Sequence, residues 1–435
     1  MRERAVVVGA GVAGLLAACA LHRDHAEVVV VERDPLRPGA SAFRPGAPQG
    51  RHIHGLLIRG ARVVETLLPG IREQMRCSGA PVFDMGLATV LCNRGERVGP
   101  YATGMELQLF SRRFFEDHLR RRVLELPGVR LMDGVTVNGL LPGASGRVAG
   151  VRTRHGPVPA ELVVDAAGRS SRTGRWLREF GCQVPADELV DAGAAYATVW
   201  LDEPCELPAA GRIVYEFGQF ADRGAGGGIA LLEDDRPLLM LFGRAGNRPP
   251  TDPEGFTAFA RDLDNPHLHR YAAAAKHLPV HRYAHMPNRR RPYERARDWP
   301  AGLLVAGDAM CVFNPVYGQG MTVAALQAET IARHAPALAR DPAAAFAVQR
   351  ELAARTRLPW LIATSLDSRW TGTPGARQRL IGAGLARMLD RCGDSRHLYT
   401  SFFRAQHLVA PLGLLHPGAL WTLARPTGGD RHEHT

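Results

Sequence analysis

Residues 5–32 restrict what this chain can fold into more than any other stretch. Ala5-Val6-Val7-Val8 is a short β-branched apolar run, followed at once by Gly9-Ala10-Gly11-Val12-Ala13-Gly14. The Ala- and Leu-rich stretch Leu15 to Leu21 reads as helix, and Val28 to Val31 reads as a second strand closed by Glu32 and Arg33. Strand, Gly-x-Gly-x-x-Gly turn, helix, strand and acid in this order define a dinucleotide-binding unit. Gly9 permits the tight turn, Gly11 lets the backbone approach a pyrophosphate, and Gly14 lets helix and strand pack closely. Glu32 stands where a carboxylate accepts hydrogen bonds from a ribose. This α/β unit is the anchor of the fold class.

A second nucleotide signature lies far along the chain. Val305-Ala306 ends a strand in Gly307-Asp308, and Asn314-Pro315-Val316-Tyr317-Gly318-Gln319-Gly320-Met321 opens a helix. Such a turn leaves backbone N–H groups unpaired at a helix N-terminus, where they favour a group carrying negative charge. Asp308 can accept hydrogen bonds from a sugar-like hydroxyl. The first unit cannot separate NAD from FAD, because both share the ADP half. A second site for a ribityl chain and ring belongs to a flavin.

On these residues the chain resembles the FAD-dependent monooxygenases of the para-hydroxybenzoate hydroxylase fold. The resemblance implies a Rossmann-type FAD-binding domain with an inserted mixed or antiparallel β-sheet substrate domain and C-terminal helices. It implies that Asp308 holds the cofactor's sugar-alcohol region and that the backbone of Gly320 and Met321, in the turn with Pro315 and Gly318, faces the pyrimidine end. Leu162-Val163-Val164-Asp165-Ala166-Ala167-Gly168 matches a third family segment in altered form, with Asp-Ala-Ala-Gly where Asp-Gly is usual. It reads equally as a strand end where Asp165 caps the adjoining turn. Pro48-Gln49-Gly50-Arg51-His52-Ile53-His54-Gly55, Gly60-Ala61-Arg62, Ser111-Arg112 and Trp299-Pro300-Ala301-Gly302 are similar to the flavin epoxidases of polyether ionophore biosynthesis, such as the lasalocid and monensin pathways. That likeness implies FAD contacts from Arg51 and Arg112, permanent bidentate cations suited to a pyrophosphate or reduced flavin. Arg33, beside Glu32, joins this cofactor set.

The nucleotide-binding parts are expected at 1–80, 105–180 and 295–350, the substrate sheet at 81–104 and 181–294, and a helical region at 351–435. Residues 195–201, 212–217, 228–232 and 237–242 read as antiparallel strands separated by Gly, Pro and Asp turns. Arg112 to Leu126 and Phe256 to Leu263 read as amphipathic helices. Tyr196, Tyr215, Phe217 and Met240 on these strands, with Phe313 and Tyr317 in the flavin turn, are the candidates for a substrate pocket at the domain interface. Trp200 and Phe242 lie on the same strands, although each such side chain reads first as core. His52 and His54 alternate with Ile53 and would share one face of an extended segment. Metal ligation would need further donors at ligand spacing, and none sits nearby.

Composition removes several classes. The seven cysteines show no Cys-x-x-Cys spacing, so neither a disulfide framework nor a zinc site is expected. No signal-peptide pattern precedes the first strand, and no apolar stretch is long enough to span a bilayer; Leu408 to Ala424 is broken by Pro411, Gly413, Pro417 and Gly418. A reducing cytoplasm is the expected address. Net charge is +11, and Lys276 is the single lysine. The arginines read either as codon-driven replacement of lysine or as a basic face for an acidic partner such as an acyl carrier protein. They are dispersed and accompany no nucleic-acid motif, so nucleic acid is not an expected partner.

In the family, reduced flavin and oxygen give a flavin hydroperoxide whose distal oxygen is electrophilic, and the protein orients, excludes water and stabilises charge. Delivery to an electron-rich alkene needs no acid–base pair, and the sequence offers none. The expected activity is therefore epoxidation of alkene carbons in a lipophilic, polyketide-like intermediate. Aromatic hydroxylation, which profits from a base near the phenol, and a redox-silent FAD-containing cyclase stay open. Electrons would come from NADH or NADPH binding transiently, or from a separate flavin reductase, since no second strand–GxGxxG–helix unit exists.

Overall fold

The structure is a computed structural model that describes residues 4–36, 43–93, 95–216, 224–244, 246–284, 286–371 and 375–410. Phe217 and the tail after Ala410 lie outside these residues, as does most of the apolar segment 408–424.

Val6, Val7, Val28, Val29, Val30, Val163 and Val164 are each at most 3% exposed, because their strands are covered on both faces. That requirement explains unbroken apolar runs in place of alternation. The strands pair in parallel, in the order Leu303–Val305, Leu162–Asp165, Arg4–Val8, Glu27–Val31, Val129–Met132. The helix Val12–Leu21 leaves the first strand through the Gly turn and is buried almost all round. It packs against the long helix Gly320–Arg340, which follows the second nucleotide signature. The two segments separated by most of the chain thus share one end of one sheet.

Among the described residues a second sheet has seven strands. Their order is His281–Ala284, Ala195–Trp200, Pro237–Gly243, Gly226–Leu231, Ile213–Glu216, Thr89–Asn93, Glu96–Val98. Its pairings are antiparallel except one: Ile213–Glu216 runs parallel to Thr89–Asn93, so the sheet is mixed, while the runs read as antiparallel strands pair antiparallel with one another. The segment 81–104 is not strand alone, because Asp84 caps a short helix, Met85–Ala88, by accepting from the N–H groups of Gly86 and Leu87. The helices Pro253–Arg261 and Pro266–Ala274 cover one face through Phe256, Leu268 and Tyr271. On the other face Tyr196, Met240 and Phe242 meet Met286 and Ile53.

The helix Ala345–Asp367 runs through Pro359. Its side chains pack against Gly320–Arg340 and the second sheet's underside, and Ala376–Asp390 and Arg396–Gln406 come after it. His407 closes this region onto the nucleotide domain, its Nδ1 accepting the Ile58 N–H at 3.3 Å. No helix among the described residues is long and apolar enough to cross a membrane.

Candidate functional site

A cleft of about 500 Å³ opens at the C-terminal ends of the parallel strands, where open α/β sheets bind ligands. Gly9, Gly11, Glu32, Arg33, Arg112, Phe313, Asp308, Pro315, Gly318, Gly320 and Met321 all line it. The folded chain therefore brings both signatures to one cavity.

The glycine turn has a separate reason at each position. Gly9 sits at φ +101°, its N–H bonded to the Val31 carbonyl at 2.8 Å. A Cβ on Gly14 would lie 1.8 Å from the Gly9 carbonyl oxygen, so helix and strand are in backbone contact there. A Cβ on Gly11 would meet nothing within 4 Å and would project into free space beside the cleft wall. Gly14 thus serves packing rather than contact, and it does not line the cleft.

Glu32 is nearly buried and has a structural role of its own. Its carboxylate accepts the N–H groups of Ala10 at 2.8 Å and Asp34 at 2.9 Å, tying the glycine turn to the second strand. Arg44 donates at 3.4 Å to the Glu32 oxygen that Ala10 also reaches, and to Glu116 at 2.8 Å. Arg112 donates to the other Glu116 oxygen at 2.8 Å. Burial alone would raise the Glu116 carboxyl, but Arg112 and Arg44 hold it below the ordinary carboxylate range. Glu116 therefore positions two guanidinium groups along one wall. Arg44 and Glu116 escaped the sequence reading; the i,i+4 spacing of Arg112 and Glu116 was the one available signal.

Arg112 is fixed from a further direction. Ser111 caps its helix, and Glu233, on the hairpin between two strands of the mixed sheet, accepts both the Ser111 N–H at 2.6 Å and its hydroxyl at 2.7 Å. Arg51 behaves differently: its guanidinium stacks 4.2 Å over the Phe43 ring, and Arg51 does not line the cleft. Its carbonyl accepts the Trp200 indole N–H at 3.0 Å.

Asp308 follows Gly307, whose φ of +62° turns the chain at the strand end. Its carboxylate accepts no hydrogen bond among the described residues. Burial pushes its carboxyl up from the usual range, against the opposing charges of Arg112, Arg169 and Arg289. Gln319 is 4% exposed and lines the cleft, and its buried side-chain oxygen has no partner among the described residues. Buried polar atoms left unpaired are costly. Donors on a ligand in the cleft would satisfy the Gln319 oxygen and could reach Asp308, which lines the same cleft. With the open volume at Gly11, these residues fit a ligand that carries negative charge and hydroxyl donors, as a flavin dinucleotide does.

Asp165 is fully buried and accepts the Ala167 N–H at 2.9 Å and the hydroxyls of Ser171 and Thr173. The capping reading describes its side chain, while the turn it shapes, Ala166 to Arg172, lines the cleft. The substrate candidates are dispersed. Phe313 lines the cleft, whereas Tyr196 and Met240 are buried in the core of the mixed sheet and Tyr215 packs at its edge. Tyr317 points away from the cleft into a polar cluster around Asp367.

His52 and His54 do not share an environment. His54 lines the cleft and donates from Nδ1 to the His52 carbonyl at 2.8 Å; burial and Arg112 push its pKa down to about 3. His52 is buried against Tyr283 and Tyr196, with Nδ1 2.7 Å from Thr198 Oγ1, and burial lowers its pKa to about 4. His407 is likewise lowered to about 4 by burial. The unfolded chain takes up protons at these histidines below pH ~6.5 that the folded chain refuses until about pH 4. Stability is therefore expected to fall on acidification through that window, by about 2 kcal/mol per imidazole between pH 6.5 and 5. Urea midpoints across pH 7.5 to 5 check this, and His52→Gln should flatten the slope. A midpoint independent of pH would contradict the neutral assignments.

A family model described as an NAD(P)-binding Rossmann-like domain matches residues 7–62. Protein Rv3254 of Mycobacterium tuberculosis is 34% identical over 350 residues, covering 76% of this chain and 73% of that protein. Squalene epoxidase 1 of Arabidopsis thaliana is 27% identical over 73% of this chain, which spans 56% of that relative's length. Among solved structures, PqsL of Pseudomonas aeruginosa in complex with 2-aminobenzoylacetate superposes with a TM-score of 0.66 at 19% identity, covering 87% of this chain and 98% of that one. This chain belongs to the family of Protein Rv3254 and has the fold of the FAD-dependent monooxygenases.

Proposed function

We propose that the protein is an FAD-dependent monooxygenase that epoxidises alkene carbons of a lipophilic, polyketide-like intermediate. The observation that carries the flavin reading is the single cleft lined by Gly9, Gly11, Glu32, Asp308, Gly320 and Met321, with Asp308 and Gln319 offering acceptors that no described residue occupies. Likeness to Arabidopsis squalene epoxidase 1 supports oxygen transfer to an alkene. Bound FAD would supply the activation of O2 for transfer of one oxygen atom.

The chain's own residues act around it. Arg112 and Arg44, held by Glu116, place positive charge along the cofactor wall. The N–H groups at the start of Gly320–Arg340 favour negative charge on a ring bound there. His54, neutral beside Arg112, lines the same wall without adding charge.

Purified protein should be yellow. Incubation with candidate polyene substrates, labelled O2 and either NADH, NADPH or a flavin reductase should add one labelled oxygen atom per product. Ring hydroxylation of an aromatic substrate, or turnover without oxygen and reductant, would replace the epoxidase reading by a hydroxylase or a redox-silent cyclase.

A further inference from the structure

Asp367 ends the helix Ala345–Asp367 and is 1% exposed, yet it is among the most heavily hydrogen-bonded side chains here. One carboxylate oxygen accepts from Tyr317 Oη at 2.6 Å and pairs with Arg244 Nη1 at 3.1 Å. The other accepts from Asn288 Nδ2 at 2.7 Å and Asn314 Nδ2 at 3.0 Å. Asn288 returns its own oxygen to the Asn314 N–H at 2.8 Å, and Asn314 Oδ1 accepts the Val316 N–H at 3.2 Å. Arg244, from the end of Pro237–Gly243, is 2% exposed and lies 5.4 Å over the Trp370 ring.

The flavin-side turn is thereby split between two directions. Phe313, Pro315, Gly318, Gln319, Gly320 and Met321 line the cleft, while Asn314 and Tyr317 face Asp367. A buried ion pair of this kind contributes little net stability, because desolvation offsets its attraction. Its geometry does fix position: four donors from three other elements converge on one carboxylate, and two of them are the turn's own side chains.

We propose that Asp367 is a positioning residue that clamps the Asn314–Tyr317 turn from behind and so sets where the N–H groups of Gly320 and Met321 stand in the cleft. The inference rests on the flavin reading of that cleft. Through Arg244 the same clamp ties the mixed sheet to the cofactor turn, so a change at the substrate sheet is felt at the ring.

Asp367→Asn and Tyr317→Phe test it by three measurements. In the apo-protein, amide hydrogen exchange at 316–321 should speed up in both variants while exchange at Ala5–Val8 stays as in wild type. FAD binding, followed by fluorescence quenching, should weaken at least tenfold in Asp367→Asn and a few-fold in Tyr317→Phe. The bound flavin's midpoint potential should become more negative, by about 30 mV for each tenfold excess loss of the reduced over the oxidised form. Wild-type exchange, affinity and potential in Tyr317→Phe would overturn the proposal, even if Asp367→Asn fails to fold. A wild-type protein that binds no FAD would sink the flavin reading instead, and the exchange comparison would still decide the clamp.

Discussion

Asp308→Ala is expected to purify as a folded but colourless protein. Its carboxylate accepts no hydrogen bond among the described residues, so truncation strands no protein donor. On the proposed flavin reading, what is lost is an acceptor for the cofactor's hydroxyls. Hydrogen bonds to a charged group contribute about 1.5–3 kcal/mol, which corresponds to roughly a ten- to hundredfold weaker FAD affinity. Glu32→Ala should also lose FAD, for a mixed reason. The Glu32 carboxylate holds the N–H groups of Ala10 and Asp34, so its removal loosens the glycine turn as well as the ribose contact. Flavin content per chain, read from the visible absorbance, separates the cases when paired with a denaturation midpoint. Wild-type flavin content in both variants would remove Asp308 and Glu32 from the cofactor site.

The glycine turn gives the second large effect, and it divides into two outcomes. Gly14→Ala places a Cβ 1.8 Å from the Gly9 carbonyl oxygen, an overlap with backbone that no rotamer change relieves. The helix Val12–Leu21 would have to lift from a sheet against which Leu15, Leu16 and Ala18 are fully buried. Destabilisation of more than about 4 kcal/mol is expected, seen as lost soluble yield or a collapsed thermal midpoint. Gly11→Ala should do the reverse. Its φ of −80° suits any residue and its Cβ meets no protein atom, so stability should match wild type. The methyl group would occupy cofactor space and weaken FAD binding roughly tenfold or more. Equal behaviour of the two variants would contradict the separate roles given to these glycines.

Local chemistry made the nucleotide unit legible. Buried parallel strands demand unbroken valine runs, and the turn between strand and helix demands glycine at fixed offsets, so position in the chain and position in space coincide. Asp308 and the Asn314–Met321 turn were readable for the same reason: a strand end, a turn and a helix start are contiguous in sequence. Resemblance to the polyether epoxidases pointed to Arg112, which lines the cleft, and to Arg51, whose guanidinium instead stacks on Phe43.

Side-chain direction was harder. Ala195 to Val199 are all buried, because helices cover one face of the mixed sheet and the cofactor turn and C-terminal helices cover the other. Alternation then cannot say which face meets a ligand, and Tyr196 reads the same either way. Tyr317, next to cleft-lining Gly318, turns toward Asp367 for a reason fifty residues away in the chain.

The order of residues alone determined that a strand–glycine turn–helix unit exists, which glycines build it and that a second, acidic turn opens a later helix, since these depend on backbone geometry within a few residues. Only the tertiary structure decided that Arg44 and Arg112 flank Glu116, that Gln319 carries an unsatisfied oxygen into the cleft, and that Arg244 and Asp367 meet. Arg44 and Glu116 lie 72 positions apart, Arg244 and Asp367 123, and their attraction has no local propensity to announce it. Burial makes leaving such groups unpaired costly, and burial is a property of the packed whole.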